Sequence, residues 1–175
     1  PFHGQRMRSY AQRMATAAHD CASKWHEGED FRAYNFTQSV SLEVILDTVF
    51  GVTDPVVRSG LKALLPELLD LGNGLPMFLK FLRLPVVPSW RRFIAVRKQT
   101  DELIGQLIRD RTSSDDRGDD ILSMLLEAEY DDGSRMDASE VRDQLLSILS
   151  AGHETTAIAM AWTLYWLHRH PEKLN

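Results

Sequence analysis

Six consecutive residues in the longest apolar segment of the chain, 151–156, read Ala-Gly-His-Glu-Thr-Thr. Glycine inside a helix costs about 1 kcal/mol relative to alanine, and adjacent threonines are poor helix formers. The sequence on both sides is nonetheless strongly helical, because leucine and isoleucine precede the run and isoleucine, methionine and tryptophan follow it. A local departure inside an otherwise consistent helix is where a functional site is expected.

The spacing within this run predicts a small, polar helix face. Ala151 and Gly152 lie four and three residues before Thr155, so the three share one side of a helix and leave room for a flat ligand. The Thr155 hydroxyl can bond back to the carbonyl of Ala151, which bends a helix. Glu154 adds an acid beside this groove. A hydroxyl and a carboxylate together suit proton delivery to something bound against the helix.

The run of residues 151–156 allows two other interpretations. Glycine and alanine also occur where two helices cross closely, which would make this face a packing surface. A zinc protease motif, His-Glu-x-x-His, needs its second histidine one turn after His153, but Ala157 stands there. His168 and His170 are two residues apart and do not share a helix face, so we interpret them as helix-end residues favoured by the helix dipole.

The six-residue run resembles the central-helix motif of the cytochromes P450, the haem-thiolate monooxygenases. Further segments resemble the same family in the same order, so the resemblance covers essentially the whole chain: residues 1–4 (Pro-Phe-His-Gly), 50–51 (Phe-Gly), 120–126 (Asp-Ile-Leu-Ser-Met-Leu-Leu), 140–145 (Glu-Val-Arg-Asp-Gln-Leu) and 170–172 (His-Pro-Glu). The His-Glu form of the motif is most similar to fatty-acid-type and related bacterial or microsomal members.

The resemblance implies an all-α chain: a fragment of the mostly helical P450 fold, about seven helices with a very long central helix. It implies catalytic roles for Thr155, whose hydroxyl would hold oxygen and a water, and for Glu154, which would connect them to solvent. Ala151, Gly152 and Thr155 would lie against the haem.

The same resemblance indicates what this chain lacks. The family's iron ligand is a cysteine in a glycine-rich loop well after the central helix, and neither that loop nor the intervening Glu-x-x-Arg helix is present in the expected order. We therefore expect residues 1–175 to be a partial domain, without the N-terminal part and the C-terminal haem-ligand part. Glu29 and Arg32 match Glu-x-x-Arg only by chance, and Cys21 is expected to be a small apolar residue of a helix.

The implied reaction inserts one oxygen atom of O₂ into an apolar, possibly fatty-acid-like organic substrate. Its cofactor is haem, and its electrons come from a ferredoxin or a flavoprotein reductase. The alternative from another class is a non-catalytic, all-helical ligand-binding or regulatory domain. A cysteine loop downstream of this chain would distinguish the two and would identify the protein as the enzyme.

Composition excludes further classes of partner and site. The net charge of −5 gives no basic excess to neutralise phosphates, so no nucleic-acid partner is expected. No apolar run reaches the roughly 18 residues of a membrane span, which favours a cytoplasmic protein, with an anchor upstream left open. The single cysteine precludes a disulfide within the chain, and no metal site is expected among its own residues.

Helix signals predict the element order. Capping residues and glycines mark the expected helices: Arg6 to His26, Phe36 to Phe50, Asp54 (cap) to Leu71, Pro88 or Ser89 to Arg111, Asp119 (cap) to Glu129, and a capping box at Asp137 and Glu140 opening a helix to His170. The segment from Leu75 to Trp90, with Met77, Phe78, Phe81 and Leu82, is either the lid of an apolar channel or a packed connection. Arg83, Arg91 and Arg92 are expected on a solvated face.

Overall fold

The computed structural model describes residues 5–30, 32–74, 79, 83–84, 86–114 and 118–173, with side chains from residue 8 onward. Its six α-helices are α1 (Gln5–Ala22), α2 (Ala33–Thr48), α3 (Pro55–Gly72), α4 (Pro88–Ser113), α5 (Ile121–Glu127) and α6 (Ala138–Arg169). A single 3₁₀ turn, Pro171–Lys173, follows. Within these ranges the only β feature is an isolated bridge between Glu129 and Arg135, so the all-α prediction is confirmed.

The long last helix begins as predicted. Asp137 accepts hydrogen bonds from the backbone of Ser139 and Glu140, and the Glu140 carboxylate accepts one from the Asp137 amide, which completes a capping box. The helix then runs for 32 residues, or about 48 Å at the usual rise. It passes through residues 151–156 without interruption.

The core lies against the first half of α6. One stripe of α6 is buried at a spacing of four residues: Val141, Leu145, Leu149, His153 and Ala157. This stripe packs mainly on α2, and α5 and the middle of α4 close the remaining sides. Beyond Ala157 no residue of α6 is fully buried, so the second half of the helix is covered only partly by the described residues.

The first helix ends earlier than predicted. It stops at Ala22 rather than His26, because Trp25 leaves the helix and packs on Phe36 of α2 with ring centroids 4.4 Å apart. Gly28 adopts a left-handed conformation (φ 87°) in the turn that follows. The second helix begins three residues before Phe36, and Gly51 (φ 59°) turns the chain after it, as expected.

The prediction that Asp119 caps α5 is wrong by one residue. Asp120 is the cap, and its carboxylate accepts a hydrogen bond from the amide of Ser123 at 2.8 Å. Asp119 instead offers its carbonyl to the hydroxyl of Tyr10 in α1 at 2.8 Å. The helix ends at Glu127, two residues before the predicted end, since Glu129 enters the isolated bridge.

Much of the predicted lid, including Met77, Phe78, Phe81 and Leu82, lies outside the described residues. The helix that follows begins at Pro88, as predicted. The expectation of a solvated face is confirmed, since Arg83, Arg91 and Arg92 are all exposed. Arg92 also pairs with Glu67 of α3 at 2.7 Å. Arg83 lies over the ring of Trp90, 5.8 Å from its centroid. In the described part of the chain, no helix combines the length and apolarity needed to span a membrane.

Candidate functional site

The residues predicted to form the site lie together on the outer side of α6. Ala151 and Thr155 are exposed and Gly152 is half-buried, whereas His153 and Ala157 are buried on the opposite side against α2. This arrangement follows from helical geometry, because two positions along the chain rotate a side chain by about 200°. We call the face formed by Ala151, Gly152 and Thr155 the groove.

The Thr155 hydroxyl bonds back to its own helix, as predicted. Its Oγ1 donates to the Ala151 carbonyl oxygen at 2.7 Å. The hydroxyl's only hydrogen is thereby used, while its oxygen lone pairs remain able to accept a hydrogen bond from water. Thr163, two turns later, makes the same bond to Ala159 at 2.8 Å, so the bond alone does not distinguish the groove.

Gly152 distinguishes the groove from the helix face around Thr163. A Cβ atom built at this position would meet no described atom within 4 Å. The glycine is therefore not required for α6 to pack on any described helix, which removes the main support for a helix crossing within this part of the chain. A bare backbone beside open space and a short hydroxyl fits the flat face of a large planar group.

Glu154 lies at the edge of the groove nearest the start of α2. It is exposed, and its neighbour there is Tyr34, whose hydroxyl accepts a hydrogen bond from Gln38 at 3.0 Å. Partial burial raises the pKa of Tyr34, and the nearby negative charge of Glu154 raises it further. Sequence reasoning missed Tyr34, since nothing local places a residue 120 positions away beside Glu154.

His153 is one of the most buried polar residues described, with 3% of its surface exposed. Its Nδ1 lies 3.2 Å from the Ser41 hydroxyl of α2. Burial lowers the pKa of His153, which favours the neutral ring. The spacing of four residues after Leu149 could have indicated this burial, but the sequence held no signal for Ser41.

The residues set aside on sequence grounds lie elsewhere. Cys21 is buried in α1, and burial raises the pKa of its thiol, which disfavours the thiolate. Glu29 lies in the turn before α2, 3.4 Å from His26, whereas Arg32 occupies the cap position of α2. Because these two residues do not share a helix, they do not form the family's Glu-x-x-Arg pair. His170 lies just beyond the end of α6.

The sequence and the fold agree on one family. The model of the cytochrome P450 family matches residues 1–174, and this chain belongs to that family. It is 35% identical over 176 residues to the putative cytochrome P450 135B1 of Mycobacterium tuberculosis and 32% identical over 177 residues to the putative cytochrome P450 138 of the same species. Both matches cover 99% of this chain, but 37% and 40% of those relatives.

Solved structures show the same fold. The haem domain of cytochrome P450DA superposes with a TM-score of 0.76 at 27% identity, over 96% of this chain and 37% of that one. The retinoic acid-bound cyanobacterial CYP120A1 superposes with a TM-score of 0.80 at 21% identity, over 98% of this chain and 38% of that one. The chain thus spans about two fifths of the length of these relatives.

Proposed function

We propose that the protein containing this chain is a haem-dependent monooxygenase, which inserts one oxygen atom of O₂ into an apolar organic substrate. Family membership supports the haem and the reaction class. The observation that carries the assignment to α6 is the groove: an open Gly152 backbone beside a back-bonded threonine, on the side of the helix opposite the core. A haem, when bound, supplies the activation of O₂ with two electrons from a redox partner.

Ala151 and Gly152 make room in this proposal. Their minimal side chains would let the porphyrin plane, oxygen and part of the substrate approach the helix backbone. A larger side chain at position 152 would enter space that no described atom occupies. The residues present therefore fit a broad, flat cofactor, and the proposed iron ligand is a cysteine outside residues 1–175.

Thr155 orders water at the groove. Its hydroxyl hydrogen points to the Ala151 carbonyl, so the hydroxyl oxygen is available as an acceptor from a water molecule. A water held in this way has its second hydrogen free to donate toward the substrate side. The threonine thus acts as a fixed acceptor in a chain of hydrogen bonds, and it need not ionise.

Glu154 exchanges protons with solvent. Its carboxylate is exposed at the rim of the groove, next in sequence to Thr155, and it interacts with Tyr34 of α2. A carboxyl group at a rim can take a proton from bulk water and pass it to an ordered water molecule inside. The proposed path therefore runs from solvent through Glu154 to the water held by Thr155.

The substrate class and electron donor extend the proposal. The His-Glu form of the motif, which resembles fatty-acid-type members, favours a fatty-acid-like substrate, and the electron donor is a ferredoxin or a flavoprotein reductase. The test incubates the full-length, haem-loaded protein with a reductase system, a panel of fatty acids and ¹⁸O-labelled O₂. One labelled oxygen atom in a hydroxylated product is expected. Incorporation of both atoms, or of oxygen from water alone, would contradict a monooxygenase.

A further inference from the structure

Ser41 of α2 and His153 of α6 form a buried polar pair directly behind the groove. Both residues are nearly inaccessible, with 4% and 3% of their surfaces exposed. The Ser41 hydroxyl donates to the backbone carbonyl of His153 at 3.0 Å. The same oxygen lies 3.2 Å from the Nδ1 atom of the His153 ring.

These two contacts determine which ring nitrogen of His153 donates a hydrogen bond to Ser41. A serine hydroxyl has one hydrogen, and a carbonyl oxygen can only accept. Because the hydroxyl hydrogen of Ser41 is used on the carbonyl, its oxygen must act as the acceptor towards the ring. His153 therefore carries its hydrogen on Nδ1, and the pair forms two hydrogen bonds that hold both the side chain and the backbone of α6 against α2.

The pair also fixes the rotation of α6 at the groove. His153 lies between Gly152 and Glu154, and Thr155 follows two residues later on the opposite side of the helix. Any rotation that moved His153 away from Ser41 would turn Thr155 by the same angle. We propose that Ser41 and His153 are positioning residues, which hold the Thr155 hydroxyl and the groove in register through these two hydrogen bonds.

This proposal rests on the function proposed for the groove, and the burial of the ring adds a pH dependence to the stability of the fold. Burial lowers the pKa of His153, and the charges of Glu154 on α6 and Asp70 on α3 offset part of that effect. Between the lowered value and the ordinary histidine pKa of about 6.5, the unfolded chain binds more protons than the folded one. The stability contributed by the neutral ring is thus complete above about pH 6.5 and is lost as the pH falls through the folded pKa.

Two substitutions at position 153 separate the hydrogen bond to Ser41 from the loss of the imidazole ring. The amide nitrogen of asparagine occupies the place of Nδ1, so His153→Asn keeps a donor to Ser41 but cannot titrate. The amide of His153→Gln is displaced toward the Nε2 position and loses that donor. Ser41→Ala removes both hydrogen bonds. Thr100→Val is the control, since Thr100 is a buried residue of α4 whose hydroxyl bonds within its own helix at 2.9 Å.

The experiment uses the full-length, haem-loaded enzyme and measures product per reduced cofactor together with the substrate-induced change in haem absorption, both at pH 7.5. Ser41→Ala and His153→Gln are expected to lower product per cofactor by roughly 3–10-fold, because misplaced groups lose rate steeply. Thr100→Val and His153→Asn are expected to stay close to wild type. The spectral change should be weakened in Ser41→Ala and His153→Gln and kept in His153→Asn, which retains the donor to Ser41.

Two results would overturn the proposal. The first is wild-type coupling in Ser41→Ala. The second is a loss of coupling in His153→Asn as large as that in His153→Gln, which would show that the donor to Ser41 does not matter. The spectral readout does not depend on turnover, so it separates the two proposals: if Thr155→Ala leaves coupling unchanged while Ser41→Ala and His153→Gln weaken the spectral change, the proton path fails and the positioning role stands.

Discussion

The hydroxyl of Thr155 donates its hydrogen to the carbonyl oxygen of Ala151, 2.7 Å away and one turn earlier in α6. This bond fixes the rotamer of Thr155 and aims its lone pairs away from the helix axis. The adjoining Gly152 adds no side chain on that side, and no described atom fills the space. The relationship between these residues is the basis of the proposed proton path, which makes distinct predictions for the two polar members of the motif.

Replacing Glu154 with glutamine is expected to slow proton entry without altering the groove. The amide has nearly the same shape as the carboxylate but cannot exchange a proton at neutral pH. Turnover of the full-length enzyme should fall by about 10²-fold or less, the lower end of the usual range for acid–base groups, because water can substitute at an exposed site. Product per reduced cofactor should change less than in Thr155→Ala.

The matched control for Glu154→Gln is Glu140→Gln, at the exposed start of the same helix. Its amide oxygen can still accept the capping hydrogen bond, so turnover should be close to wild type. Equal slowing by both substitutions would show that Glu154 has no special connection to the groove.

Replacing Gly51 with alanine is expected to destabilise the fold. Gly51 has a left-handed backbone (φ 59°), and an added Cβ would collide with the carboxylate of Asp120, which is ion-paired with Arg111. The strain and the collision together should cost about 2–4 kcal/mol. The measurement is the free energy of unfolding in urea.

Gly133→Ala provides the control for Gly51→Ala. Gly133 has a similar backbone (φ 80°), but no atom lies within 4 Å of its added Cβ. Only the strain remains, which is about 1–2 kcal/mol. If Gly133→Ala destabilises the protein as much as Gly51→Ala, the packing of Asp120 under Gly51 is not important for stability.

The exposed apolar side chains in the second half of α6 indicate how residues 1–175 should behave in isolation. Four large apolar side chains of this segment are 42–57% exposed and form one face of the helix: Ile158, Trp162, Tyr165 and Trp166. Apolar surface of this extent normally marks a contact with further protein. The isolated chain should bind a dye specific for exposed apolar surface and should aggregate as its concentration rises.

Substituting Trp162 and Trp166 with glutamine should reduce both the dye binding and the aggregation. Val56→Gln should not, because Val56 is a single exposed apolar residue on α3. A sharp two-state melt of the unaltered chain without dye binding would contradict the expectation and would show a self-sufficient domain.

Helix order could be predicted from the sequence because its signals are local. The capping box at Asp137 and Glu140, the Asp54 cap before Pro55 and the turn at Gly51 each depend on neighbouring residues, and the structure has all three. The end of α1 could not be predicted, since Trp25 leaves the helix to reach Phe36 on another element. Local patterns do not encode such contacts.

The candidate site was predictable in its local geometry only. The spacing of Ala151, Gly152 and Thr155 predicted their shared helix face and the back-bond of Thr155, and the structure has both. The residues behind and beside the groove, Ser41 and Tyr34, belong to α2, which lies more than a hundred residues before this part of α6 in the sequence. Their identification required the packing of the two helices.

The central claim is that the Thr155 hydroxyl carries the proton path. The most direct test compares Thr155→Ala with Thr163→Ala, which removes an equally back-bonded threonine from the same helix. The measurement is product formed and hydrogen peroxide released per reduced cofactor consumed by the full-length enzyme. Thr155→Ala should keep haem and substrate binding but divert most electrons to peroxide, whereas Thr163→Ala should be close to wild type. Unchanged coupling in Thr155→Ala, or the same loss in both variants, would contradict the assignment and leave this face of α6 as a packing surface.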